Sequence, residues 1–268
     1  MTLLFPAQCV GCEQPLESPA QPTVEVPHRA VSRSMLSAQP VNGEFSFVEQ
    51  FDRHWCQDCW RKLGLGSETQ CARCGASIRS NYGNPFDDGC KFCRDQNYHF
   101  ENTVSLGSYG GLLQRLIIRM KNGHDDQLAI QLGQLLAYAI VQRPLCGVID
   151  KVVPVPTHWQ RRLKRGFCAA EILAETIGAI CKLPTATHLV QATRSTRKQG
   201  TLSMAGRRDN VKNAFSHQKR FPVEGKHILI VDDVMTSGST TSEVAKVLKK
   251  AGAAKVYVAV VARGTGAQ

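Results

Sequence analysis

From Phe100 onward, apolar residues alternate between strand-like runs and helix-spaced stripes. Residues 104–109 read as a strand, 111–121 as a short amphipathic helix, 127–142 as a longer helix and 148–155 as a second strand. Within 167–181, Ile172, Leu173, Thr176 and Ile177 share one helical face. The run His227-Ile-Leu-Ile-Val231 is short, apolar and rich in β-branched residues, as a parallel strand buried on both faces requires. After it Val244, Val247, Leu248 and Ala251 recur at helical spacing, and Gly252 sits where a left-handed cap is expected. Residues 256–261 are a further apolar strand, completing a βαβ unit. The alternation predicts an α/β fold, a parallel sheet covered by helices, whose ligands bind beyond the C-terminal strand ends.

Two stretches lack this order. Residues 17–49 are rich in Pro, Ser and Gln and read as a long, mobile insertion. Residues 191–220 carry eight Lys or Arg against the single acid Asp209 and read as a long mobile loop of the lid or binding kind. The 268 residues allow one sizeable core plus an accessory module, and the change of pattern divides them into 1–99 and 100–268.

Composition narrows the class. Hydrophobic and charged fractions of 43% and 21% are those of a soluble globular protein. The first twelve residues lack the basic stretch and apolar core of a signal peptide. Residues 128–141 are interrupted by Gln131 and Gln134 and are too short to span a bilayer. The expectation is a cytoplasmic protein without membrane insertion. The net charge of +11 is unevenly spread: 1–99 hold nine basic and eleven acidic residues, 100–268 hold 24 and 11. Only the second part is basic, and that field would attract a phosphorylated sugar or a nucleic acid alike.

Eight of the eleven cysteines form four CxxC pairs, Cys9/Cys12, Cys56/Cys59, Cys71/Cys74 and Cys90/Cys93. Two thiolates three residues apart on a tight knuckle point at one tetrahedral metal, and two knuckles complete a four-thiolate site. Four pairs therefore predict two structural Zn²⁺ ions, a double zinc ribbon. Disulfides suit a reducing compartment poorly, and four redox pairs exceed what thiol exchange needs. Sequential pairing joins the first two knuckles on one ion and the last two on the other; a cross-braced pairing fits the spacing equally. Gly75 follows the second ligand of its knuckle. The ribbons' negative balance argues against broad phosphate contact, and Trp55, Trp60 and Leu63 suit the small core of a metal module.

The strongest chemical signal is Val231-Asp-Asp-Val-Met-Thr-Ser-Gly-Ser-Thr240. Two carboxylates at a strand end, followed by a hydroxyl-rich turn that opens a helix, suit a sugar phosphate. Asp232 and Asp233 would accept hydrogen bonds from vicinal ribose hydroxyls. The amides of Thr236, Ser237, Gly238, Ser239 and Thr240 would hold a phosphate at the helix N-terminus. Neither GxxxxGK[ST] nor a GxGxxG after a strand occurs, which removes the P-loop and dinucleotide readings. A second segment, Val153-Pro-Val-Pro-Thr157, is a stiff turn followed by Arg161, Arg162, Lys164 and Arg165. Pro156, Thr157, Arg161 and Arg165 suit a pyrophosphate group.

The string around Asp232 closely resembles the motif with which type I phosphoribosyltransferases bind 5-phosphoribosyl-1-pyrophosphate (PRPP). Over nearly the whole chain, ribbons then transferase domain, the sequence resembles the ComF family, which includes the competence protein ComF and GntX-type proteins. The family's first loop stands here as Pro154-Val-Pro156, Arg161 and Arg165-Gly-Phe-Cys168, with Cys168 in place of Asn. Its flexible-loop pattern is matched by Thr196, Gln199, Leu202, Ser203, Arg207 and Asn210, with Ala214-Phe215 following. The motif commonly ends in TTG, which is Thr236-Ser-Gly238 here. The resemblance implies the type I phosphoribosyltransferase fold and a hood over 194–210 that closes on the ligand.

If the protein is an enzyme, the implied reaction is displacement of pyrophosphate from PRPP by an unidentified base or amine. Mg²⁺ would accompany PRPP, Asp232 and Asp233 would position the ribose, and Arg207 would meet growing negative charge as a catalytic cation. The alternative is a binding module: a PRPP or nucleotide sensor, or a fold engaging single-stranded DNA. The resemblance links it to DNA uptake, with competence proteins as partners. Phe215 is the single aromatic residue within 191–220, whereas single-strand grooves usually offer stacking rings.

Overall fold

A computed structural model describes residues 8–16, 54–65, 68–78, 89–143, 145, 147–158, 166–196 and 204–265. The insertion expected at 17–49, the cations Arg161 and Arg165, and 197–203 of the expected hood lie outside the described residues. The chain divides into two compact units between Lys62 and Leu63.

The described part of the first unit is a pair of cysteine knuckles. The first is a tight turn closed by an isolated bridge between Gln8 and Pro15. The second opens α1 (Gln57–Leu63). Trp55 and Cys59 are buried, the core that the aromatic residues around the second knuckle suggested.

The second unit is built on four parallel strands, β1 (Thr103–Ser108), β2 (Lys151–Pro154), β5 (His227–Met235) and β6 (Lys255–Arg263), in the order β1-β6-β5-β2. The helices are α2 (Gly111–Gly123), α3 (Asp126–Val141), α4 (Ala169–Cys181), α5 (Met204–Val211) and α6 (Ser239–Lys250). Ile228, Ile230, Val256, Val258 and Val260 share one core with Val244, Ala245 and Leu248 of α6. By the two-residue pleat, Leu229, Val231, Tyr257 and Ala259 face the other way, where α3 and α4 pack on each other and on the sheet. Burial on both faces explains the continuous apolar runs of β5 and β6; each such side chain contributes about 1.5–3 kcal/mol.

Two junctions matter for the site. His124 ends α2 in the left-handed conformation (φ 49°), and Asp125 caps α3 by accepting from the Leu128 amide at 2.9 Å. This sharp corner places the last turn of α2 beside the end of β5. The second cysteine pair of knuckles belongs to the sheet's core: Cys71, Cys74, Ala76 and Cys93 pack with Ile228, Val258 and Leu248. The compact unit therefore begins well before residue 100.

Within 191–220, the described residues 191–196 and 204–220 hold more regular structure than their composition suggested. β3 (Val190–Ala192) and β4 (Phe215–His217) pair antiparallel, with α5 between them. Three-residue strands carry no readable period, and what anchors this segment is the burial of Val190, Val211, Ala214 and Phe215 in the α6-side core.

Gly178 tests the packing of α4. An added Cβ would collide with Thr185 Oγ1 and lie 2.9 Å from the Leu183 carbonyl oxygen. Overpacking costs about 1–3 kcal/mol, against roughly 1 kcal/mol that Ala gains over Gly in a helix. The clash includes backbone, so Gly178→Ala is expected to lower the urea midpoint with an unchanged m-value.

Candidate functional site

β5 continues past its apolar half and carries Asp232 and Asp233 toward its C-terminal end, before the turn into α6. The Asp233 amide donates to Asp232 Oδ1 at 2.9 Å. Lys121, from the last turn of α2, places Nζ 2.8 Å from Asp233 Oδ1. Burial first, then the Asp233 carboxylate, push Asp232 up to about 8, with Lys121 pulling the other way. Burial acts to lower Lys121, but the carboxylates of Asp233 and Asp232 outweigh it and hold it above the ordinary lysine value. The corner is thus a crowded acid pair with Lys121 ion-paired to it.

This corner opens on a cavity of about 460 Å³. Of the residues singled out in the sequence, Asp232, Asp233, Thr236, Thr240, Pro156, Thr157 and Arg207 line it. The stiff turn after β2 and the strand-to-helix turn after β5 therefore meet across one space. The β2 turn is braced by a contact between Thr157 Oγ1 and Cys168 Sγ at 3.6 Å. Ser237 and Ser239 instead border a second cavity of about 250 Å³, which Tyr98 and His99 also line. Their hydroxyls bond each other at 2.8 Å, and Ser237 Oγ accepts from the Ser239 amide at 3.3 Å. Gly238 adopts the left-handed conformation (φ 73°), which glycine enters without strain.

Sequence reasoning missed Lys121, Tyr109 and His158, which also line the larger cavity, as does Arg194 at the start of the expected hood. Lys121 carried no signal of its own: a basic residue in a helix's last turn is ordinary.

The cysteines form two groups, Cys9, Cys12, Cys56 and Cys59 in one and Cys71, Cys74, Cys90 and Cys93 in the other, with ligand atoms within 4.8 Å of one another. Of the two pairings the spacing allowed, this is the sequential one. Sulfur separations of 3.7 Å (Cys12–Cys56), 3.7 Å (Cys71–Cys93) and 3.6 Å (Cys74–Cys90) are far from a disulfide. They match the edge of a tetrahedron of thiolates about 2.3 Å from a central Zn²⁺, roughly 3.8 Å. A Cβ on Gly11 would lie 2.6 Å from Cys59 Sγ, and one on Gly89 would lie 2.7 Å from Cys93 Sγ, so both cradles require glycine. The residue after each first knuckle turns left-handed, Glu13 (φ 62°) and Gly75 (φ 69°).

Residues 162–267 match the phosphoribosyl transferase domain family. The DNA utilization protein YhgH of Escherichia coli (strain K12) is 32% identical over 210 residues, covering 76% of this chain and 89% of the relative. Competence protein F of Haemophilus influenzae is 28% identical over 209 residues, covering 76% and 87%. Among solved structures, a glutamine PRPP amidotransferase from B. subtilis is 22% identical over 60% of this chain and 32% of its own, with a TM-score of 0.37. An adenine phosphoribosyltransferase is 16% identical over 54% and 74%, with a TM-score of 0.31. The sheet, the acid pair and the domain match define a protein of the type I phosphoribosyltransferase fold with a cysteine-rich front. Within that class, the chain belongs to the ComF family, the family of YhgH and competence protein F.

Three outcomes are expected. Metal analysis should return about two zinc per chain. Cys71→Ser should lower the melting temperature of the sheet unit more than Cys12→Ser does, because Cys71 lies in its core. For Asp232 the sign follows from its raised value: between 3.8 and about 8 the folded chain keeps a proton that the unfolded chain has lost. Stability therefore falls as pH rises through that window. Asp232→Asn, which cannot ionise, should gain in melting temperature over the natural protein as pH goes from 5 to 8.5.

Proposed function

We propose that this protein binds PRPP at the β5–α6 corner and transfers its phosphoribosyl group to a base or amine, releasing pyrophosphate. The observation that carries the reading is the pair of adjacent carboxylates facing one cavity with two turns suited to phosphates, one after β5 and one after β2. In this reading Asp232 and Asp233 accept from the ribose 2′- and 3′-hydroxyls, and the amides from Thr236 to Thr240 hold the 5′-phosphate. Pro156 and Thr157 underlie the pyrophosphate, with Arg161 and Arg165 from the following segment. Arg207, Arg194 and His158, which line the same cavity, supply further donors.

The reaction is a single displacement at C1′. A nitrogen lone pair of the acceptor forms the new bond to C1′ while the C1′–O bond breaks, its electron pair leaving with pyrophosphate. The acceptor's proton passes to solvent. The sugar passes through an oxocarbenium-like state, so the Asp233 carboxylate, joined by Asp232 once a bound cation displaces its proton, would stabilise it, and the cations meet charge growing on the leaving group. The acid pair offers the hard oxygen donors that Mg²⁺ prefers, and a bound Mg²⁺ would neutralise pyrophosphate charge. Closure of the hood over 194–210 would exclude water from a sugar that otherwise hydrolyses.

The names of the relatives concern DNA utilisation and competence, and we infer the same process for this chain. The basic balance of 100–268 supports contact with nucleic acid as the second reading, a PRPP sensor or single-strand-binding module on the same fold.

Isothermal titration with PRPP and Mg²⁺ should show saturable binding. Losing two hydrogen-bonded carboxylates, each worth about 1.5–3 kcal/mol, should weaken it by at least about 100-fold in the Asp232→Asn/Asp233→Asn double variant. Equal heats in both proteins would remove the site. Pyrophosphate release with a panel of bases and amines separates transferase from sensor, silence favouring the sensor. Oligonucleotide affinity that is flat with salt counts against the nucleic-acid reading.

A further inference from the structure

The turn after β5 is gripped from behind by the second cysteine cluster. Arg263, the last residue of β6, is buried at 2% exposure. Its Nε donates to the Cys74 carbonyl at 2.9 Å and its Nη1 to the Met235 carbonyl at 3.0 Å, with the Thr236 and Gly264 carbonyls also accepting from Nη1. One guanidinium therefore joins the backbone of a cluster ligand to the start of the turn.

A second link comes from Tyr98, five residues beyond Cys93. Its ring stacks on Phe100 with centroids 4.6 Å apart and lies under the Arg73 guanidinium at 5.7 Å. Arg73 sits between Cys71 and Cys74 and donates to the carbonyls of Cys93 at 3.1 Å and Gln96 at 2.6 Å, locking the segment that carries Tyr98. The Tyr98 hydroxyl donates to the Ser237 carbonyl at 3.2 Å. Its ring lies 2.8 Å from where a Cβ on Gly238 would stand. Next to it, the His99 amide donates to Ser242 Oγ at 3.1 Å in the first turn of α6.

Three successive carbonyls, those of Met235, Thr236 and Ser237, are thus held by side chains seated on or locked to the cluster. In a trans peptide the carbonyl and the following N–H point in opposite directions. Fixing these oxygens aims the amides of Thr236, Ser237 and Gly238 away from the cluster. Amides aimed in advance bind a phosphate without reorganising.

We propose that Tyr98 and Arg263 are positioning residues through which metal in the Cys71/Cys74/Cys90/Cys93 cluster sets the aim of the β5–α6 turn, so that metal occupancy governs affinity for a sugar phosphate. The ligand half of this statement rests on the PRPP reading; the coupling half does not. Coupling between two sites is reciprocal, so the ligand must tighten metal binding by the factor by which metal tightens ligand binding.

The test uses the full chain and Tyr98→Phe, which keeps the ring and removes only the donor. Amide hydrogen exchange is measured without ligand, alongside zinc content, melting temperature and PRPP titration with Mg²⁺. The coupling requires faster exchange at Ser237 and Gly238 in the variant, with zinc content and melting temperature unchanged. PRPP affinity should fall about fivefold to tenfold, the loss expected for one hydrogen bond. In cobalt-substituted protein, PRPP should shift the thiolate-to-metal absorption of the natural chain and leave Tyr98→Phe less affected. Exchange at those two amides identical to the natural protein overturns the coupling. If the natural protein binds no PRPP, the ligand reading falls, and the exchange result still decides the coupling. Should Tyr98→Phe unfold, Arg263→Lys, which keeps the charge but loses the fork, is read by the same exchange criterion.

Discussion

Negative charge held at the end of an apolar strand is the constraint around which the second unit is arranged. Asp232 pairs in register with Val260 inside a sheet that is otherwise hydrocarbon there. A carboxylate so placed needs a compensating cation close by or it keeps its proton. Lys121 meets the need for Asp233, and it reaches that point because α2 stops abruptly at a left-handed residue, His124. The same strand end must then turn sharply into α6, which brings Gly238 and the carbonyl-holding side chains into play. Helix ending, ion pair and turn are one problem solved three times over.

Much of the fold was legible because its signals are local. β5 and β6 carry apolar runs bounded by turn residues, and α3 and α4 show a helical period; the ends of β6, α3 and α4 fall within a residue or two of expectation, while β5 continues to Met235, four residues past its apolar run. β2 is shorter than its apolar run, Lys151–Pro154 rather than 148–155, and Asp150 just before it accepts from the His227 amide at 2.8 Å instead of continuing the strand. The β3–β4 pair was not legible, because strands of three residues gain their stability from partners more than twenty positions away.

The position of the acid pair at a strand end could be read from residue order, since the strand pattern stops where the hydroxyls begin. Lys121 could not, because its role depends on a corner between two helices. Nor could the contacts of Tyr98 and Arg263, which join positions more than a hundred residues apart. The cysteine spacing named both metal sites but not their surroundings. One is the centre of a small module, whereas the other is part of the sheet's own core.

The ion pair between Lys121 and Asp233 has a consequence for selectivity. A guest bringing only anionic charge has nothing to exchange for the lysine, while a bare divalent ion must evict it unaided. In the proposed PRPP reading, a sugar that arrives already chelated would offer hydroxyls and positive charge together, releasing the ammonium toward the guest's own phosphates. On that reading such a lock would favour joint entry over either visitor alone.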